Sequence, residues 1–230
     1  MLSDPTSTAL HGQLQELLGV TQQHVQPISP HSVVQLQPLA AAAFARMQAA
    51  AAAAGHDLQI ASGFRSFARQ ALIWQRKFTA SSQDNAALAH ILHWSALPGT
   101  SRHHWGSDMD VYSAAAIGEQ QLQLVAAEYA SGGPCWPLYQ WLCKHAHTYG
   151  FYWPYQGKGN GVAAEPWHLS YAPIARHYQP LWQQPSTLHA WANYLEQQQL
   201  TGLPLLLPQL QQLVERYTLQ VAEVPKALAE

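Results

Sequence analysis

The sequence predicts a mixed fold of helices and short strands, organised as one ordinary domain with appendages. Three observations carry this reading. Alanine-rich and amphipathic stretches recur at helical spacing, short alternating segments bounded by glycine or proline fall between them, and 230 residues that are 48% hydrophobic, with nine Trp and ten Tyr, suffice for one sizeable core.

Taken in order, residues 13 to 19 suit a short amphipathic helix, and Pro27 and Pro30 then mark a linker-like passage to about Val34. Pro38 opens a helix over Leu39 to Ala54: proline suits a first turn, alanine favours the helix, and Gly55 stands where a C-terminal cap belongs. Leu39, Ala43, Phe44, Met47 and Ala51 mark its apolar face. Leu58 to Ser62 alternates as a strand does, Gly63 turns the chain, and a second helix runs from about Ser66 to Phe78. Residues 79 to 100 read as a long connection ending in Pro98-Gly99. Ser107 to Tyr112 is strand-like, which places Asp108, Asp110 and Tyr112 on one face and Met109 and Val111 on the other.

Residues 115 to 134 are predicted to contain a helix, and a further helix runs from about Trp136 to Tyr149 and closes at Gly150. Phe151 to Trp153 and Trp167 to Tyr171 complete the strands, with a glycine-rich loop between Gly157 and Gly161. Beyond Pro173, Pro180 and Pro185 the chain reads as helices at about 187 to 199 and 208 to 217, while proline-flanked Leu203 to Leu207 packs rather than spans anything. The expected division is an N-terminal extension to residue 35, a main domain over 36–180 and a helical extension over 181–230, packed on the main domain.

Charged residues make up 10% of the chain and the net charge is −2. Without basic runs or acidic tails, this argues against a nucleic-acid partner or an anionic membrane surface. The opening residues, Met-Leu-Ser-Asp-Pro-Thr-Ser-Thr, lack the basic and apolar regions of a signal peptide, and no segment approaches a membrane span. The expectation is a cytoplasmic protein, or a periplasmic one if a leader has been removed. Cys135 and Cys143 lie eight apart in a helical segment, too far along one helix for a disulfide, so both are expected as thiols.

Chemistry concentrates in two segments, Ser101-Arg102-His103-His104-Trp105-Gly106-Ser107-Asp108-Met109-Asp110 and Glu165-Pro166-Trp167-His168. Together they supply a histidine, a carboxylate, a second histidine and a spare glutamate. Catalytic zinc takes three such ligands and keeps a fourth position for water, with an acid nearby to handle protons. A turn at Gly106 would fold His103 and Asp110 toward one point. Glu165, set off by Pro166 and Trp167, would remain at the mouth of the strand that His168 enters.

Each residue also has a plainer reading. With 13 histidines in the chain, a single one is more often a surface or hydrogen-bonded core residue than a ligand. His104 stays in that class, as do His145 and His147, and the two cysteines read as small buried hydrophobes. Asp108 shares the face of Asp110 and could compete for a metal; the favoured reading is a carboxylate that holds a histidine or a loop amide. Arg65, between a strand and a helix in a charge-poor chain, suits an anion better than a solvated helix start.

Three motifs in order, Ser62-Gly63-Phe64-Arg65-Ser66 with Gln70, Ser101-x-His103-x-x-Gly106-x-x-x-Asp110, and Glu165-x-Trp167-His168, resemble the VanY-type D-alanyl-D-alanine carboxypeptidases. These belong to the zinc superfamily of lysostaphin, D-Ala-D-Ala peptidases and hedgehog domains. The resemblance covers about residues 36 to 175. It implies a small α+β fold with a central antiparallel sheet, helices packed mainly on one side, and zinc in an open groove. It also implies zinc ligation by His103, Asp110 and His168, catalysis by Glu165 as base and Arg65 as oxyanion or substrate partner, and substrate contacts from Ser101, Gln70 and Trp167. Asp108 departs from the family, in which that position is commonly alanine.

The implied activity is removal of the terminal D-alanine from peptidoglycan stem peptides or muropeptide fragments. A D,D-dipeptidase, an L,D-carboxypeptidase or an endopeptidase on the same substrate class remains open. A non-catalytic zinc-containing binding module is the reading from another class, and Glu165 and Arg65 weigh against it, since a purely structural site needs neither.

Overall fold

The structure, a computed structural model, describes residues 12–158 and 161–228. Residues 12–17 are helical. The passage expected as a linker instead holds two short strands, β1 (Gln26–Pro27) and β2 (Gln35–Leu36), paired antiparallel. Their backbone is put to use at once, because the carbonyl of Gln35 accepts the N–H of Phe64 at 2.8 Å and so holds the segment that enters the site.

Helix α1 (Pro38–Ala53) starts on its proline and buries Ala40, Ala43, Phe44, Met47 and Ala51. Leu39, expected on that face, is 65% exposed. The packed stripe begins one residue later, at Ala40, and steps by three or four from there. Strand β3 (Leu58–Ser62) leads into α2 (Phe67–Thr79), where the Ser66 hydroxyl caps the helix by accepting the N–H of Arg69. The presumed connection over 79–100 contains a further helix, α3 (Asn85–Trp94), capped by Asp84 and buried through Leu88, Ile91 and Leu92.

After β4 (Asp108–Ser113), the helix expected within 115–134 is replaced by single turns at Ala114–Ile117 and Ala126–Tyr129. Gly118 ends the first turn, and the Glu128 carboxylate accepts the backbone N–H groups of Gln123 and Val125, closing a loop rather than extending a helix. Helix α4 (Trp136–His145) and a 3-10 turn at Ala146–Tyr149 then deliver β5 (Phe151–Tyr152), which is followed by β6 (His168–Tyr171).

The main sheet is antiparallel throughout, in the order β3-β4-β6-β5. Side chains alternate across its faces. Met109, Val111 and Leu169 therefore enter the core cluster that contains Phe44 and Met47, while Asp108, Asp110, His168 and Ser170 point to the opposite side. Register places Asp110 directly across from His168 on one side and from Ser62 on the other.

The chain continues through α5 (Ala172–Tyr178), α6 (Pro185–Gln197), a helical turn at Leu203–Leu206 and α7 (Leu210–Val214), which widens into a π-turn at Glu215–Leu219. These segments share the core of the sheet domain. Fully buried Trp191 donates from Nε1 to the carbonyl of Pro98 at 2.9 Å, and Trp74 of α2 donates to the carbonyl of Thr201 at 2.8 Å. Both cysteines are free thiols, Cys135 buried and Cys143 exposed. Among the described residues, no helix is long and apolar enough to cross a membrane.

Candidate active site

The first chemical segment folds as a single 3-10 turn, Arg102–Trp105, that stops at Gly106 in the left-handed conformation (φ +67°). A Cβ at Gly106 would also run into a Val25 methyl, a second reason for glycine there. The turn gives consecutive residues different tasks. Ser101 lines the groove. The His103 ring faces the sheet, and its Nδ1 lies 2.8 Å from the carbonyl of Gly63. A carbonyl only accepts, so Nδ1 carries the proton and Nε2 is left toward Asp110, 3.3 Å from Oδ2.

His168 is arranged the other way round. Its Nε2 lies 2.9 Å from Oδ1 of Asp108, and its Nδ1 faces Asp110 Oδ1 at 3.1 Å and Glu165 Oε2 at 3.4 Å. The ligating atoms of His103, Asp110 and His168 thus lie within 4.8 Å of one another, and all three residues are buried. Two imidazole nitrogens and one carboxylate oxygen form a fitting donor set for zinc, with the outward nitrogen of each ring already engaged. Asp108 does not join the set; it holds the back of the His168 ring.

Charge follows from burial and pairing. Burial opposes ionisation of Asp110, yet the imidazoles of His103 and His168 hold its carboxyl far below the usual carboxylate range. Burial also disfavours a charged His168, but hydrogen bonds to Asp108 and Asp110 overcome this and lift it to about 9 without a metal. Glu165 is pushed up to about 7, chiefly by burial, with His168 pulling the other way. A carboxyl poised near neutrality can both take and return a proton. The tight turn that keeps Glu165 at the strand mouth is closed by the His168 N–H on the Glu165 carbonyl (3.1 Å) and the Trp153 indole on the Pro166 carbonyl (3.0 Å).

Arg65 reaches the same groove. Its guanidinium donates from Nη1 to Gln70 Oε1 (2.9 Å) and from Nη2 to Ser62 Oγ (3.2 Å), and Nη2 lies 3.9 Å from Asp110 Oδ2. Gln70, expected to contact substrate, is fully buried and outside the groove lining; its amide donates to the Ala96 carbonyl at 2.7 Å and its oxygen accepts from Arg65. His104, in keeping with its plainer reading, is buried and neutral: burial lowers it to about 3, its Nδ1 meets the Arg65 carbonyl and its Nε2 accepts the Gly99 N–H. The sequence pair His103-His104 therefore serves one ring to the metal site and one to the backbone of Arg65.

The groove encloses about 370 Å³ and is lined by Arg65, Ser101, the His103-Asp110-His168 set, Glu165 and Trp167. Trp167 forms a wall, packed against Tyr129. Sequence reasoning missed Tyr155, whose ring centroid lies 4.7 Å from that of His168, and two further lining residues, Lys77 and Tyr217. Lys77 was readable as the residue seven after Gln70 on one helix face; Tyr217 arrives from the π-turn and has no local signal.

A buried His-Asp-His set that could hold a metal, with a glutamate and a guanidinium beside it in one groove, has the composition of a metallopeptidase site. Residues 33–174 match the family model described as VanY, D-alanyl-D-alanine carboxypeptidase, and the chain belongs to that family. An uncharacterized protein of Haemophilus influenzae is 28% identical over 124 residues, 53% of this chain and 92% of that protein. A D-alanyl-D-alanine carboxypeptidase of Enterococcus faecalis is 32% identical over 122 residues, 50% of this chain but only 40% of the relative. Among solved structures, a vancomycin-resistance D,D-pentapeptidase VanY mutant in complex with Zn(II) superposes with a TM-score of 0.50 at 23% identity, covering 68% of this chain and 85% of the other.

Proposed function

We propose that this protein is a zinc-dependent carboxypeptidase that removes the terminal D-alanine from peptidoglycan stem peptides or their fragments. The observation that carries the reading is the position of Glu165: its Oε2 lies 3.4 Å from Nδ1 of His168, yet it stands outside the ligand set. A structural site has no use for a buried carboxyl held there.

When bound by His103, Asp110 and His168, zinc supplies Lewis acidity toward a carbonyl and lowers the pKa of water toward ~7. Glu165 takes the proton of the attacking water and returns it to the leaving amine. Arg65, held by Ser62 and Gln70, presents its charge to the oxygen on which negative charge develops. Ser101, Trp167 and Tyr155 line the groove; in this reading Ser101 grips the substrate's terminal carboxylate and the two aromatic rings shape the space around the scissile bond.

The test is mass-spectrometric analysis of stem tripeptide, tetrapeptide and pentapeptide incubated with zinc-loaded protein. Loss of one residue from the pentapeptide alone supports the D,D-carboxypeptidase. Release of the dipeptide D-Ala-D-Ala, or trimming of the tetrapeptide, reassigns the site to the dipeptidase or L,D class. No cleavage at all by folded, zinc-replete protein sinks the reading.

A further inference from the structure

Arg102 and Asp108 take no part in the mechanism above, yet both are buried, Asp108 against His168 and Arg102 against Asp108. Arg102 donates from Nε to Asp108 Oδ1 at 2.8 Å, from Nη1 to Gln179 Oε1 at 3.0 Å, and from Nη2 to the Tyr152 hydroxyl at 2.8 Å and Ser170 Oγ at 2.7 Å. Its guanidinium carbon lies 4.3 Å from the Trp105 ring centroid. Asp108 in turn receives four donors: Arg102 and His168 Nε2 on Oδ1, and the hydroxyls of Ser107 and Ser170 on Oδ2. Every partner of the carboxylate gives a hydrogen bond.

We propose that Asp108 and Arg102 are positioning residues for His168. An ionised carboxylate can only accept, so the Asp108 contact keeps a proton on Nε2 and leaves Nδ1 as the ring nitrogen available to exchange its proton for a metal. Nδ1 is the atom that faces Asp110 and Glu165. Arg102 fixes the carboxylate from behind, and its remaining contacts anchor it to Tyr152 of β5, Ser170 of β6 and Gln179 just beyond α5. The position of the ring is thus set by the folded chain before a metal arrives.

The pairing is better explained by this role than by stability. A buried ion pair is often no more stable than apolar side chains of similar volume, and such a pair sits here against one metal ligand only. His103 needs no counterpart, because the Gly63 carbonyl orients its ring. The inference rests on the ligand set and not on which peptide is cleaved.

The test compares Asp108→Leu with Asp108→Asn, measuring zinc affinity by chelator competition and the visible spectrum of the Co(II)-substituted protein, with circular dichroism to establish folding. Asparagine keeps an oxygen for the His168 N–H, and the two serine hydroxyls can turn to accept its amide. Asp108→Leu is expected to bind zinc ~10–100-fold more weakly with an altered cobalt spectrum, and Asp108→Asn to stay within about threefold of the parent with the parental spectrum. Should Asp108→Leu not fold because it strands the guanidinium, Arg102→Met/Asp108→Leu removes the pair together and is expected to show the same loss. Parental affinity and spectrum in a folded leucine variant would overturn the proposal, as would an asparagine variant that loses as much as leucine.

Discussion

Asp110 and His168 are direct cross-strand partners in the central pair of the sheet, and Asp110 Oδ1 lies 3.1 Å from His168 Nδ1. Because side chains alternate, this register alone brings a carboxylate and an imidazole to one point on the polar face. Asp110→Ala removes one of three ligands and is expected to weaken zinc binding by at least ~100-fold, read as metal content after dialysis against a weak chelator. Retention of stoichiometric zinc would show that the metal sits elsewhere.

Glu165 lies beside the ligand set without belonging to it, so chemistry and metal retention should separate. Glu165→Gln keeps the shape and removes the proton acceptor. We expect kcat/KM for D-alanine release to fall by ~10²–10⁴, with zinc affinity changed by no more than a few-fold. Equal losses in zinc binding and catalysis would make Glu165 a ligand rather than a base.

Gln70 acts through Arg65, and the two should not contribute independently. Arg65→Ala is expected to lower kcat by ~10²–10³, the scale of losing a donor to a developing oxyanion. Gln70→Leu releases the guanidinium at Nη1 and is expected to cost about tenfold. With coupled residues the double variant falls no further than Arg65→Ala alone. A double variant slower than Arg65→Ala by the full Gln70 factor would return Gln70 to direct substrate contact.

Most of what builds the site was legible because it is local. Ser62-Gly63-Phe64-Arg65-Ser66 ends a strand and caps a helix, Gly106 reverses the chain between His103 and Asp110, and Glu165 precedes a strand that begins on His168. The errors have physical causes. Helix α3 carries an Asp84 cap and buried Leu88, Ile91 and Leu92, but Asn, Gln, Ser and His around it imitate a loop composition. The segment 115–134 is alanine-rich at its start, yet Gly118 and the carboxylate of Glu128 turn it into loops. The bond of the Gln70 amide to the Ala96 carbonyl, 26 residues away, has no signal in the sequence. Arg102 was overlooked for the same reason: its partners Tyr152, Ser170 and Gln179 become neighbours only when the sheet forms.

Zinc binding should depend steeply on pH, because the metal and a proton compete for Nδ1 of His168. In the metal-free protein Asp108 and Asp110 overcome burial and hold His168 at about 9, whereas burial first, and Arg65 in part, keep His103 below the usual histidine value. Asp110 is ionised throughout the neutral range. From pH 7 to 9, therefore, only His168 must lose a proton to ligate, and affinity should rise about tenfold from pH 7 to 8 and about fivefold more by pH 9, about 50-fold in all. The same raised pKa acts on folding with the opposite preference. Stabilisation from protonated His168 is fully present below its unfolded value near 6.5 and is lost as pH rises through about 9. Metal-free protein should accordingly lose on the order of 3 kcal/mol between pH 6.5 and 9, and Glu165 adds a loss of the same sign that ends shortly above pH 7. Zinc-loaded protein, in which the metal holds the unprotonated ring, should show no such decline. Chelator competition and thermal melts across this range check both arms, and a pH-independent affinity would mean that His168 does not ligate through a nitrogen that protonates there.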